Sequence, residues 1–256
     1  MRSVTTSHAR SSVSYDDASA APGTTTIRLS ILGGFELSSD GQVVELPLAV
    51  QRVTAFVALQ RRPVQRAYVA GRLWLDTTER RAHAALRTTL WRARVPAGEL
   101  LSATTTHLRL ADSVRVDYRD VIDCAERVLR EVGSYGRGEL ACIAGSGELL
   151  PDWYDEWLIT ERERVRQLRC LALETLCDRF RSHGRHGEAM QAGIAAVAGD
   201  PLRESAHRAL IRAHLAAGNS VDAIRQYRIL ATLLRRELGL PPSAATQALV
   251  RRTSPA

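Results

Sequence analysis

The fold of this chain is decided by the stretch Glu79-Arg-Arg-Ala-His-Ala-Ala-Leu-Arg-Thr-Thr-Leu-Trp-Arg-Ala-Arg94. Its apolar residues recur every three or four positions, which predicts one amphipathic helix. The face expected to meet a core carries Ala82, Leu86, Leu90 and Ala93. The opposite face carries Arg80, Arg87, Thr88, Trp91 and Arg94, with Arg81 and Arg92 on its flanks. Such a helix packs on a small core and presents guanidinium groups outward.

The surroundings of this helix are strongly basic. Between Gln51 and Arg94 the chain has ten arginines and only two acids, Asp76 and Glu79. A guanidinium group fits both a phosphate and the O6/N7 edge of guanine. The pattern therefore favours a helix that reads double-stranded DNA, and the alternative is a solvated surface helix without a ligand.

Within a DNA-reading helix, phosphate contacts set the register and base contacts set the sequence preference. We expect Arg87, Thr88 and Trp91 to lie closest to the base edges. Phosphate contacts are expected from arginines on neighbouring elements, namely Arg52, Arg62, Arg66 and Arg109. Trp91 is equally compatible with an inward orientation in which it covers the core.

Residues 27–117 follow the element order of a winged helix-turn-helix domain. Residues 27–37 alternate like a strand, Asp40-Gly41 is a hairpin turn signal, and residues 42–46 resume the strand pattern. Three helices are then predicted at 48–60, 66–74 and 79–94, with Thr78 as the N-cap of the third. Strand character returns over 100–117. Hairpin, three helices, hairpin is the winged-helix order.

Residues 118–256 are predicted to be helical, with a loop at 133–147. The run Gly184-Arg-His-Gly-Glu-Ala-Met recurs as Gly218-Asn-Ser-Val-Asp-Ala-Ile, and this offset of 34 residues is typical of tetratricopeptide repeats. The aromatic cluster within 152–157 is expected to fasten this half to the winged helix. The predicted fold class is thus mainly α, an α+β winged helix followed by an all-α repeat domain. Residues 1–26, rich in Ser, Thr and Ala, are expected to form a disordered tail.

Composition limits the chemistry that the chain can perform. The net charge is +7, and all 35 basic residues are arginine. Without lysine there is neither a Walker A phosphate loop nor a Schiff-base lysine. The four cysteines form no C-x-x-C pair, and the pairs His183/His186 and His207/His214 lack a third metal ligand. We therefore expect no enzyme activity, no cofactor and no bound metal.

The sequence also carries no membrane or export signal. No apolar run approaches the ~18 residues that span a bilayer, and residues 1–26 lack the apolar core of a signal peptide. We expect a cytoplasmic protein associated with the nucleoid.

Several longer runs in the second half match a known family. They are Leu150-Pro-Asp-Trp-Tyr-Asp-Glu-Trp157, Asp200-Pro-Leu-Arg-Glu-Ser-Ala-His207, Leu210-Ile-Arg-Ala-His-Leu-Ala-Ala-Gly-Asn219 and Arg235-Arg-Glu-Leu-Gly-Leu240. With Leu73-Trp74 and Ala85-Leu86 in the first half, they resemble the Streptomyces antibiotic regulatory protein family, in which an OmpR-type winged helix precedes a bacterial transcriptional activation domain. The resemblance covers residues 27–250. In the wing the chain departs from the family's Gly-Tyr pair and has Thr104-Thr-Thr-His-Leu-Arg109.

The resemblance implies a set of partners and site residues. DNA contacts would come from Arg87, Thr88, Trp91, Arg92 and Arg94, on short direct repeats near a −35 element. The helical half would contact RNA polymerase and sigma factor, with a second protomer on the same DNA, at promoters of a secondary-metabolite cluster such as an antibiotic cluster. No receiver domain and no ATPase module are expected. Two alternatives stay open: a repressor that acts by occlusion, and a helical-repeat adaptor whose winged domain does not read DNA.

Overall fold

The computed structural model describes residues 26–93, 99–130 and 136–251. In the N-terminal half, short strands alternate with three helices. The elements are β1 (Ile27–Ser30), β2 (Glu36–Ser39), β3 (Gln42–Val43), α1 (Leu48–Ala58), β4 (Val64–Gln65), α2 (Arg66–Leu73), α3 (Glu79–Arg92), β5 (Leu101–Ala103), β6 (His107–Leu110) and β7 (Val114–Val116).

The described part of the second half contains only helices. They are α4 (Asp117–Arg130), α5 (Arg137–Ala144), α6 (Glu156–Ser182), α7 (His186–Gly199), α8 (Glu204–Ala216), α9 (Ser220–Leu238) and α10 (Ala244–Arg251). The predicted fold class, a winged helix followed by helical repeats, is confirmed. No helix in the described ranges combines the length and apolarity needed to cross a membrane.

Two small sheets frame the three N-terminal helices. The first has the strand order β3-β2-β1-β7, and the second has the order β4-β6-β5. Asp40 and Gly41 both have positive φ, 47° and 80°, as a two-residue hairpin turn between β2 and β3 requires. The predicted hairpin is therefore confirmed at this turn.

The strand predictions at 27–37 and 100–117 needed correction. Residues 27–37 form two antiparallel strands rather than one, because the chain turns at Gly33 and Gly34, whose φ values are 92° and 148°. The last strand, β7, leaves the second hairpin and pairs in parallel with β1. The two-residue strand β4 pairs with β6 and was not predicted, since two residues are too few for a periodic signal.

The helical half has the predicted repeat. Gly184 and Gly218, which occupy equivalent positions in it, both have positive φ, 71° and 79°, between the helices of a pair. A helix ending in this left-handed conformation favours glycine. At the contact between α7 and α8, a Cβ on Gly193 would lie about 3.0 Å from Leu210 Cβ. The repeat therefore accounts for the glycine at each of the two turns. The close contact of α7 with α8 requires a third glycine, Gly193.

The loop predicted at 133–147 is wrong over most of its described length, because α5 occupies residues 137–144. The carboxylate of Glu139 accepts a hydrogen bond from the Gly136 amide at 2.9 Å, which caps the first turn. Leu140 and Ile143 are buried in the core of the helical half. Capping and burial of one face outweigh the poor helix propensity of the glycines. Residues 131–135 lie outside the described part of the chain.

The two halves share one hydrophobic core. Trp157, Leu158 and Val165 of α6 belong to the same buried cluster as the interior of the winged helix. The segment before α6 also pairs with the N-terminal backbone: Gly33 N donates to Glu148 O and Leu150 N to Ile31 O, at 2.6 and 2.9 Å. The hydrophobic core is therefore continuous across the sequence boundary near residue 117.

Close backbone contact reinforces this junction. A Cβ on Gly147 would lie 2.7 Å from the Cα and N atoms of Gly33, so only glycine allows the two segments to approach so closely. From the other side, Arg119 of α4 donates to the carbonyls of Ala58 and Gln60 at the end of α1, at 3.0 and 2.8 Å. These bonds satisfy carbonyls that a helix end leaves without partners.

The aromatic anchors predicted within 152–157 are confirmed for two of the three residues. Trp153 stacks on Phe35 with ring centroids 5.9 Å apart, and Trp157 meets the edge of Phe56 at 5.2 Å. Tyr154 is 94% exposed and anchors nothing within the described chain. The two tryptophans thus connect the helical half to both the N-terminal sheet and α1.

The first prediction concerns this junction. Trp157 is only 8% exposed, so Trp157→Ala should lower the free energy of unfolding by about 3–5 kcal/mol. The matched control, Tyr154→Ala, should change it by less than about 0.5 kcal/mol, because that side chain is already in solvent. Urea denaturation followed by circular dichroism measures both. Equal effects for the two variants would show that Trp157 does not support the shared core.

Candidate nucleic-acid interface

Helix α3 lies with its apolar face on the winged-helix core. Ala82, Leu86 and Ala93 are buried as predicted, and Leu90 is half-buried and packed against the same core. Thr89 is also buried, and its hydroxyl donates to Ala85 O at 2.9 Å. Thr78 occupies the N-cap position, although its side chain makes no capping hydrogen bond. The core contacts alone therefore set the rotation of the helix.

This rotation places the predicted polar face in solvent. The exposed side chains are those of Arg80, Arg81, Arg87, Thr88, Trp91 and Arg92. Trp91 is 72% exposed, so its outward orientation is settled for the free protein. Arg94, the last member of the predicted face, lies outside the described residues. The structure thus brings six of the predicted side chains onto one helix surface.

Among the described residues, the arginines of α3 have no acidic partners. Across the described residues, no ion pair includes Arg80, Arg81, Arg87 or Arg92, whereas most arginines of the helical half pair with a carboxylate. Arg80 and Arg81 also lie in the first turn of α3, where the helix dipole disfavours positive charge. The positive charges of these arginines are therefore in an unfavourable electrostatic environment, and an anionic partner would stabilise them.

Three of the predicted phosphate contacts lie around the neighbouring β5–β6 turn. Arg62 and Arg109 line a shallow cavity of about 490 Å³ on the outer side of β6. Arg66 begins α2 and donates to Thr104 O at 3.0 Å, which ties its guanidinium to the turn. Arg109 pairs with the exposed carboxylate of Asp112. An exposed pair of this kind is weak, so a phosphate can replace the carboxylate.

Arg52 requires a correction, since it does not lie on this surface. Its guanidinium forms an ion pair with Asp155, directly before α6, and Nε donates to the same carboxylate at 3.1 Å. The residue is half-buried in the junction between α1 and α6, beside Trp157. Helical periodicity placed it on the polar side of α1, but it could not show that the second half would cover that side.

The structure adds two residues that the sequence reasoning missed. His83 of α3 and His107 of β6 line a cavity of about 660 Å³ together with Arg66, Arg87 and the tip of the β5–β6 turn. His83 lies between Ala82 and Arg87 in the helix, one turn before Arg87, and this spacing could have placed it beside the basic face. No sequence signal connected His107 to α3, because the two elements meet only in the fold.

The remaining candidate residues are packed rather than reactive. Cys124, Cys170 and Cys177 are buried free thiols, and burial raises the pKa of Cys177 to about 12, which disfavours its reactive thiolate form. His207 is buried, and burial lowers its pKa. Its ring nitrogens bond to Pro201 O and the Gln226 amide, at 3.0 and 2.8 Å. Within the described ranges, no group of three or more His, Cys, Asp or Glu is placed to hold a metal ion.

Comparisons with known proteins agree with this architecture. The family model of the bacterial transcriptional activator domain matches residues 145–253. Regulatory protein AfsR of Streptomyces coelicolor is 28% identical over 238 residues, which cover 88% of this chain and 24% of AfsR. The chain therefore spans about a quarter of the length of that relative.

A solved structure shares the fold. Mycobacterium tuberculosis EmbR, in complex with a low affinity phosphopeptide, superposes with a TM-score of 0.66 at 19% identity, covering 91% of this chain and 66% of that one. This likeness shows that the fold is shared. The domain match and the AfsR similarity agree with the resemblance to the Streptomyces antibiotic regulatory protein family. The activator-domain match begins at residue 145, so α4 and α5 lie between it and the winged helix.

Proposed function

We propose that this chain, classified by these similarities with the Streptomyces antibiotic regulatory protein family, is a DNA-binding transcriptional activator. Residues 27–117 would read DNA, residues 118–256 would contact the transcription machinery, and residues 1–26 would be a tail. The observation that carries the proposal is the exposed face of α3, whose arginines have no acidic partners in the described chain. Arginine without a protein carboxylate is suited to the phosphates and guanines of DNA.

Base reading is assigned to Arg87, Thr88 and Trp91. The exposed guanidinium of Arg87 has the donor geometry for O6 and N7 of guanine. The hydroxyl of Thr88 donates to Ala84 O at 3.1 Å, so its methyl group is left to meet a thymine methyl. The large exposed ring of Trp91 offers a second apolar surface one turn further along α3. We therefore expect a site in which guanine lies next to thymine.

Phosphate contacts are assigned to the arginines around these three residues. Arg80, Arg81 and Arg92 lie on α3 itself, and Arg94 follows in the sequence. Arg62, Arg66 and Arg109 lie around the hairpin of β5 and β6, which is the wing. Neutralising several phosphates releases counterions, so binding should weaken steeply with salt. Arg52 is not included, because its charge is already paired with Asp155.

The helical half is proposed to contact RNA polymerase and sigma factor. The match to a bacterial transcriptional activator domain supports this role, as does the tendency of stacked helix pairs to bind proteins. Since both halves share a core, a winged helix bound to DNA would hold the helical half at a fixed angle to the promoter. We propose direct repeats near the −35 element as the site, a second protomer on the same DNA, and a secondary-metabolite cluster as the target.

The second prediction tests base reading. On a DNA site selected from a random pool, Arg87→Ala should cost about 1–3 kcal/mol of binding free energy and relax the preference at one base pair. Arg228→Ala is the control, since Arg228 is an exposed arginine on α9 and should leave DNA affinity unchanged. Fluorescence anisotropy with single-base variants of the site measures both effects. A uniform loss across all variants would contradict the role given to Arg87.

The third prediction separates phosphate contacts from base contacts. Arg62→Ala should weaken binding to every sequence alike and lower the slope of log affinity against log salt by about 1. Titrations at several salt concentrations measure the slope. An unchanged slope would exclude Arg62 from the phosphate contacts.

The fourth prediction concerns the outcome at a promoter. In reconstituted transcription, the full chain should raise the yield from a promoter whose footprint adjoins the −35 element. Arg87→Ala should lose this effect, and Arg228→Ala should serve as the same control for DNA binding. A footprint that overlaps the start site, with reduced yield, would indicate a repressor. Absence of any sequence-specific footprint would indicate an adaptor.

A further inference from the structure

The cavity between α2, α3 and the wing is unusual in its charge. Its lining includes Arg66, Arg87, His83 and His107, with the hydroxyl residues Thr105 and Thr106 at the wing tip, and no described residue that lines it carries a carboxylate. At about 660 Å³ it is large enough for a phosphate group with part of its sugar. It overlaps the proposed base-reading residues at Arg87 and includes neither Thr88 nor Trp91.

The elements that form the cavity are held in place by the backbone. Arg66 N donates to Thr106 O at 2.8 Å, which fixes the start of α2 against the wing tip. The wing tip is ordered by the Thr104 hydroxyl, which accepts the His107 amide at 2.9 Å. Gln65, the N-cap residue of α2, and Ala67 in its first turn also line the cavity, so the positive end of that helix contributes to it. Three separate elements thus converge on one cationic space.

The two histidines have limited contacts of their own. The Nε2 atom of His83 lies 3.8 Å from the exposed carboxylate of Glu79, one turn earlier on α3. The Nδ1 atom of His107 bonds to the Thr106 hydroxyl at 2.9 Å. The other charged groups that face them are Arg66 and Arg87 inside the cavity and Arg62 and Arg109 on the outer side of β6. Among the described residues, Glu79 is therefore the only acid that forms an ion pair with either imidazole.

We propose that this cavity binds a phosphate of the DNA backbone, and that His83 and His107 supply protonatable donors to it. The inference rests on the proposed DNA-binding function and extends it. A bound phosphate favours the charged form of an imidazole that donates to it. Binding therefore takes up protons, so DNA affinity rises as pH falls. Thermodynamic linkage limits the gain to about tenfold per pH unit for each proton taken up.

The fifth prediction follows from this linkage. At constant ionic strength, wild-type affinity for the selected site should tighten about five- to tenfold between pH 7.5 and 5.5, mostly through the two histidines. The double variant His83→Gln/His107→Gln should bind with nearly the wild-type affinity at pH 7.5 and lose most of the pH dependence. His183→Gln is the matched control, since His183 is an exposed histidine of the helical half, and it should keep the wild-type pH dependence.

A second double variant tests whether the Gln variant loses its pH dependence merely because it is misfolded. His83→Arg/His107→Arg carries permanent charges, so it should bind tightly at both pH values with little slope. If the slope of log DNA affinity against pH is the same for the wild type and both double variants, the inference is overturned. Absence of specific binding at either pH in the wild type would instead overturn the proposed function itself.

The source of the phosphate is tested with modified DNA. Single methylphosphonates remove one backbone charge at a time, and at one position the substitution should abolish the pH dependence in the wild type only. Inorganic phosphate replacing chloride at equal ionic strength should leave that dependence in place. If inorganic phosphate removes it and no methylphosphonate does, the cavity takes the free ion and its assignment to the DNA backbone is overturned.

Discussion

The shared core between the two halves is the constraint on which the rest of the structure depends. Trp157 packs edge-on against Phe56, and the backbone of residues 148–150 pairs with that of residues 31–33. These contacts join the first turns of α6 to the interior of the winged helix. The direction in which α3 faces therefore also fixes the direction in which the repeats face. Under the proposed function, this junction would set the geometry between the surface that faces DNA and the surface that faces protein.

The distribution of ion pairs distinguishes the surface that we propose to face DNA. In the helical half, carboxylates three or four residues away along a helix, or on the next helix, neutralise most arginines. On α3 the single acid, Glu79, lies near His83 rather than near an arginine. Exposed guanidinium groups without partners cost little in water but gain much from a polyanion. Among the described residues, the arginines of α3 thus differ from most arginines of the helical half, which are paired with carboxylates.

The sequence predicted the helices and the buried face of α3 because burial on one side leaves a period of 3.6 residues. It also predicted the repeat, whose Gly184 and Gly218 need positive φ. It could not show that Arg52 would be covered by the second half, since that depends on contacts 103 residues apart in the chain. Nor could it predict β4 or the cavity of His83 and His107, which exist only where distant elements meet. Helix α5 was missed because Gly138 and the glycines that flank the helix made its short buried face hard to recognise.

The most direct test of the account is methylation interference on the selected DNA site. Methylation at guanine N7 blocks the major-groove edge that Arg87 is expected to bind. The account predicts one guanine whose methylation weakens wild-type binding but no longer affects Arg87→Ala. Identical interference patterns for the two proteins, or interference confined to adenine N3 in the minor groove, would contradict the claim that α3 reads DNA with its arginine face.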